Sequence, residues 1–204
     1  MVRSSDPVTH PSIEQLNAGL DSIRRSPEDA GTLLKVVQRP AVDRRNVVAE
    51  GRLDVEDGLV GDSWKDRGSK STADGSANPE AQITIINSRA LQLMARSEER
   101  WPLAGDQLVI DIDMSVANMP PGTRLSIGSA VLEISAEPHT GCVKFAARFG
   151  NDALRFVSTP TGQDLRLRGA NSRVVRSGTI RAGDVVKKDS LRFVKSNLDE
   201  AGKG

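Results

Sequence analysis

The amino-acid sequence predicts a mainly β protein: a closed or nearly closed β-barrel with a few helices attached and a helical hairpin on its N-terminal side. Three observations carry this expectation. The second half is a succession of short apolar or alternating runs, separated by glycine turns at even spacing. Helical periodicity is confined to short stretches, at 12–31, 88–96 and after residue 142. No internal repeat and no linker composition divides the 204 residues, so one domain is expected to hold all of these elements.

Residues 1–11 are polar, contain two prolines and predict a flexible tail. Ser12 then precedes Ile13, Leu16, Leu20 and Ile23 on one helical face, with Gln15 where a capping box requires it. Ser26-Pro27-Glu28 reads as a second helix start that Gly31 stops, giving a helical segment at 12–31 packed on the barrel. The barrel domain is expected over 32–190, followed by a C-terminal tail at 191–204. Its first strands are TLLKVVQR, ending at Pro40, and NVVAEGRL after the charged turn Asp43-Arg44-Arg45. Residues 65–82 hold almost nothing that folding could bury and read as a long mobile loop of the kind that serves as a lid.

ITII is a short buried strand, and Asn87 or Ser88 caps a helix through Arg96 with Ala90, Leu91 and Met94 inward. LVIDIDM alternates, so Asp111 and Asp113 share one face; adjacent on one strand, they read as solvent-facing rather than as a catalytic dyad. Pro120-Pro121-Gly122 makes a turn, and Gly128-Ser129 joins TRLSI to AVLEIS as a hairpin. RVVRSGTIRAGDVVKK supplies three more short strands, divided at Ser177-Gly178 and Gly183-Asp184.

Composition narrows the function. With 28 basic against 27 acidic residues, 3% aromatic content and no tyrosine, the chain lacks the signature of a nucleic-acid binder. One cysteine cannot form an internal disulfide. The N-terminal residues have no apolar signal core and no run approaches membrane-spanning length, so the expectation is a cytoplasmic protein without a membrane partner. P-loop, Rossmann fingerprint, HExxH, cysteine cluster and G-x-S-x-G elbow are all missing from the sequence.

What remains is the stretch EPHTGCVKFAARFG. Its glycine predicts a tight turn after AVLEIS that leaves Cys142 at the barrel mouth. A helical turn would bury Phe145 and Phe149 together and point Lys144 and Arg148 elsewhere. A thiol near a helix start and cations makes a better nucleophile and soft-metal ligand. The same cysteine could equally be a small packed residue beside Thr140, and the residue chemistry alone leaves both open. His139 could orient an anion or simply bond a carbonyl. Arg166, Arg168, Asn171 and Arg173 could grip phosphate or form a solvated strand face. Asp62 in Gly58-Leu-Val-Gly-Asp62-Ser-Trp64 could line a pocket or sit in an ordinary turn.

Taken in order, GLVGDSW, AGDQLVIDI, TRLSIGSAVLEIS, PHTGCVKFAARFG and RLRGANSRVVRSGTIRAGDVV resemble the MOSC domain, the module found at the C-terminus of molybdenum cofactor sulfurases. The resemblance runs from about Val36 to Lys188. It implies a barrel of the MOSC, pyruvate-kinase-barrel-like kind. It also implies that Cys142 carries sulfur as a persulfide or ligates molybdenum; some relatives use a bound molybdenum cofactor to reduce N-hydroxylated compounds. His139, Thr140, Lys144, Arg148, Arg168, Asn171, Arg173 and Asp62 would then contact the molybdopterin. A redox or sulfur-donor protein is the implied partner, and pyridoxal phosphate is not expected because no desulfurase domain precedes the barrel. The chain departs from the family at Asp62-Ser63-Trp64, where relatives have a basic residue and histidine, and at Gly105-Asp106-Gln107, where many have GEN. The competing expectation is a non-catalytic barrel that binds a small anionic ligand or a partner protein.

Overall fold

The computed structural model describes residues 9–189; residues 1–8 of the expected N-terminal tail and the expected tail at 191–204 lie outside them. Eleven strands and seven short α-helices are present among the described residues. The strands are β1 (Ala30–Gln38), β2 (Asn46–Val48), β3 (Glu50–Asp54), β4 (Gly58–Leu59), β5 (Ile83–Asn87), β6 (Leu108–Asp111), β7 (Arg124–Ile127), β8 (Ala130–Ile134), β9 (Ala170–Arg176), β10 (Gly178–Arg181) and β11 (Val185–Lys188).

Seven strands close into a barrel in the order β11-β7-β8-β9-β5-β6-β1, with β1 pairing back onto β11. All these pairings are antiparallel except β5 with β6, so the barrel is mixed. β1 makes closure possible by changing partners along its length: β11 at Ala30–Thr32, β6 from Thr32 to Val36, then β2 at Val36–Gln38. A bulge between Leu33 and Lys35 lets it bend between them. β3, β4 and β10 form a small second sheet.

Two apolar cores result. The first is the barrel interior, filled by inward residues such as Leu33, Ile85, Ile110, Leu125 and Leu132. The second lies between the outer wall of β5 and β6 and a layer of helices. Ile86 and Val109 face outward from the barrel into it. β5 is therefore buried on both faces, which is why its sequence is a continuous apolar run rather than an alternation.

The helices are α1 (Ile13–Ala18), α2 (Leu20–Arg24), α3 (Trp64–Arg67), α4 (Ser88–Ala95), α5 (Val143–Phe149), α6 (Asn151–Ser158) and α7 (Pro160–Asp164). Ser12 and Gln15 form the reciprocal capping box at α1. Asn87 caps α4 by accepting from the amides of Arg89 and Ala90. Phe145, Phe149 and Phe156 fill the helical core. No helix among the described residues is long and apolar enough to cross a membrane.

Five local expectations change. The N-terminal piece is two consecutive short helices broken at Gly19, and Ser26-Pro27-Glu28 does not start a helix. The Pro27 carbonyl instead accepts from the Asp113 amide, and the Glu28 carbonyl from Asn118. Gly31 lies inside β1, at a position that needs glycine because a side chain there would come within 2.1 Å of the Asp111 carbonyl. NVVAEGRL divides at Ala49 into β2 and β3, which belong to different sheets. β6 ends at Asp111, whose carboxylate is gripped by Arg89, while Asp113 turns back to Ser115. Residues 65–82 carry α3 and a short turn of tighter helix at Pro79–Ala81, tied by hydroxyl and amide bonds around Thr72 and Asn78.

Candidate functional site

The loop Ser135–Cys142 leaves β8 and delivers the chain to α5. Asn171 of β9 holds it in place: its side-chain amide donates to the carbonyls of Glu137 and Pro138, each at 3.2 Å. The Asn171 carbonyl accepts from the Ser135 amide at 3.0 Å. Asn171 is therefore spent on shaping the loop. Gly169 allows His139 to settle beside it, since a side chain there would come within 2.3 Å of the Ile85 carbonyl and 3.4 Å of His139 Nδ1. Its φ of +100° excludes most other residues as well.

Beside this loop lies a cavity of about 340 Å³, walled by residues that include His139, Thr140, Gly141, Arg166, Arg168 and Asn171. Arg168 is buried: Nη1 donates to Asp106 Oδ2 at 2.8 Å and Nη2 to the Ala104 carbonyl at 3.2 Å. Its guanidinium also covers the Phe145 ring, 4.9 Å from the centroid. The helix that begins after Cys142 is thus tied through Phe145 to the arginine of the cavity wall. Phe145 and Phe149 pack ring to ring at 5.0 Å.

His139 Nδ1 stands 3.6 Å from Asp106 Oδ1, too far for a hydrogen bond. Both atoms are buried without a partner, as is Arg168 Nε. Burial, and then the Arg168 and Arg39 charges, hold the His139 imidazole well below its usual pKa, so the ring is neutral near pH 7. Burial pushes the Asp106 carboxyl up, opposed by the Arg168 charge and hydrogen bond. Gln107 is also buried, accepting from the Thr84 amide and hydroxyl while donating to the Gln82 carbonyl. The Asp106-Gln107 pair is therefore part of the frame behind the cavity.

Cys142 is exposed, in the N-cap position of α5, with its backbone carbonyl accepting from Ala146. Gly141 before it lines the cavity just described. Lys144 after it lines a second cleft, together with Arg148, Arg39, Arg45 and Arg67. The residues expected to act together are thus divided: His139, Thr140, Arg168 and Asn171 in one cavity, Lys144 and Arg148 in the other.

Two candidates stand elsewhere. Arg173 is half-exposed on the outside of β9 and pairs with Glu133 and Glu80, the solvated-strand alternative. Asp62 has a fully buried side chain that takes the Arg39 guanidinium through two bonds at 2.8 and 2.9 Å and caps the Trp64 amide. Its role is to fix Arg39, which reaches on to the Gly105 carbonyl. Arg39, Arg67 and the buried Asp106 are site residues that sequence reasoning did not select. The signal for Arg39 was the buried carboxylate of the Gly61-Asp62 turn, which needs a cation from somewhere.

Comparison with known proteins adds the following. A family model described as "MOSC domain" matches residues 72–187. No curated protein matches the chain. Among solved structures, the YuaD protein from Bacillus subtilis is similar with a TM-score of 0.61 at 15% identity, covering 78% of this chain and 95% of that one. YiiM from Escherichia coli is similar with a TM-score of 0.51 at 19% identity, covering 78% of this chain and 70% of that one.

Proposed function

Because the chain belongs to the MOSC domain family, we propose that its barrel presents Cys142 as a functional thiol, either as the soft ligand of a molybdenum cofactor or as a carrier of sulfur. The observation that carries this reading is an exposed thiol next to Gly141, at the edge of a polar cavity that Asn171, Arg168 and His139 shape from behind.

The residues fit such a group. Arg168 Nε and His139 Nδ1, on residues of the cavity wall, and Asp106 Oδ1 behind it are underpaired, and each orphaned buried polar atom costs about 1–3 kcal/mol. A heterocycle with both donors and acceptors suits that wall. The Arg168 and Asp106 charges offset one another and His139 is neutral, which suits an uncharged ring better than a second ion. Cys142 would hold the metal, and the loop residues His139 and Thr140 with Arg168 would hold the pterin. When bound, the cofactor supplies two-electron oxygen-transfer chemistry.

The exposure of Cys142 supports sulfur carriage equally. The Cys142 thiolate would take the outer sulfur of a donor persulfide. One S–S bond breaks, a donor thiolate leaves and one S–S bond forms on Cys142, with no net redox change. That sulfur must come from a separate donor protein.

The test is to purify the protein from a host that makes the cofactor, measure its pterin by fluorescence, and measure the intact mass of alkylated protein before and after reduction. Bound pterin supports the cofactor reading, and a reducible sulfur adduct on Cys142 supports carriage. Absence of both contradicts the proposal.

A further inference from the structure

The cations that the sequence singles out for phosphate are not the ones that the fold leaves free. Arg168 is neutralised by Asp106, and Arg173 by Glu133 and Glu80. In the second cleft, of about 350 Å³, the accounting runs the other way. Arg39 is taken by Asp62, and Arg148 by Asp43 and the Leu103 carbonyl. Arg45, Arg67 and Lys144 have no carboxylate partner within ion-pair distance among the described residues; Asp66 is the one lining carboxylate likewise unpaired. Arg45 spends Nη1 on the Arg44 carbonyl and buries Nε without a partner.

These three side chains come from separate elements: the turn after β1, α3, and α5 two residues past Cys142. Three cations without an ion-pair partner share this cleft with one unpaired carboxylate, Asp66, an excess of positive charge that an anion would offset. Burial is the main cause lowering the Arg45 pKa, and the Arg148 and Arg39 guanidiniums add to it against the opposing charges of Asp43 and Asp62. Two forked guanidiniums and an ammonium from three separate elements offer more donors than one carboxylate can accept and suit the several oxygens of a phosphate.

We propose that this cleft is a phosphate site, gripped by Arg45, Arg67 and Lys144. It takes a phosphate ester or diphosphate, and it operates independently of the thiol. The phosphate would be borne either by the pterin of the cofactor or by a separate phosphorylated small molecule.

Titration calorimetry with inorganic phosphate and pyrophosphate, on protein from a host that cannot make the pterin cofactor, tests this. Binding is expected at low ionic strength and should weaken as salt rises. Arg67→Met and Arg45→Met should each weaken it by about tenfold or more. Arg173→Met and Cys142→Ser should leave it unchanged. Arg67 is exposed, so that variant should keep wild-type thermal stability and report on binding alone. Phosphate that binds no better than chloride at matched ionic strength, or binds equally to a folded Arg67→Met variant, would overturn the proposal. Repeating the titration on cofactor-loaded protein separates the sources: blocked binding assigns the site to the cofactor's own phosphate, and retained binding assigns it to a separate molecule. Because Cys142→Ser should retain phosphate, failure here is distinguishable from failure of the thiol reading.

Discussion

Asp106 and Arg168 meet inside the protein: Oδ2 accepts from Nη1 at 2.8 Å, with side chains 1% and 10% exposed. They are 62 residues apart in sequence, and the pair locks the start of β6 to the entrance of β9 behind the cavity. Removing one member strands the other in a low-dielectric site. Arg168→Met should therefore destabilise by about 3–5 kcal/mol in urea unfolding, the usual cost of breaking a buried pair. A double Asp106→Leu/Arg168→Met variant should recover much of that loss.

His139 gives the protein an acid-sensitive step. Its folded pKa is depressed well below the usual imidazole value of 6.5, so the unfolded chain binds a proton that the folded chain refuses. Stability from this group is complete above about pH 6.5 and falls as pH drops toward the folded pKa, by about 1.4 kcal/mol per pH unit. Urea unfolding should show no contribution from this group between pH 7.5 and about 6.5 and that slope below it, and His139→Gln should flatten it. His10, the other histidine, is exposed.

Gly169 is a position beside the cavity where even a methyl group should do harm. With φ at +100° and the Ile85 carbonyl 2.3 Å from an added Cβ, Gly169→Ala forces backbone movement between β5 and β9. A loss of about 1–3 kcal/mol or more is expected in thermal or urea unfolding.

Arg173→Met should change stability by no more than about 1 kcal/mol, because Arg173 and Glu80 are half-exposed and screened by solvent, and Glu133 keeps its pair with Arg124. The same variant should leave cofactor content unaltered, since Arg173 stands outside both cavities.

The barrel was legible because its signals are local. β7, β8 and β11 read directly from alternation and glycine turns, and the helix from Ser88 from its Asn87 cap. The lost elements depended on distant contacts. Nothing local distinguishes Gly31 as a close-approach residue in a strand from a helix stop; the Asp111 carbonyl decides it. α6 and α7 passed unnoticed because they are short and polar outside a buried face that only the neighbouring helices complete. At the site, the loop before α5 was legible, but the pairing of cations was not. Which arginines stay unneutralised depends on Asp62, Asp43, Asp106 and Glu133 arriving from other parts of the chain.

The most direct test of the thiol reading is the molybdenum content of wild type and Cys142→Ser, purified in parallel from a cofactor-replete host. Cys142 is exposed and its side chain makes no capping bond, so the substitution should leave stability within about 0.5 kcal/mol. The cofactor reading predicts stoichiometric molybdenum on the wild type and its loss from the serine variant, and the carrier reading predicts a metal-free wild type with reducible sulfur on Cys142. A wild-type protein that is folded, metal-free and without sulfur on Cys142, or a serine variant that keeps its molybdenum, would contradict the thiol reading.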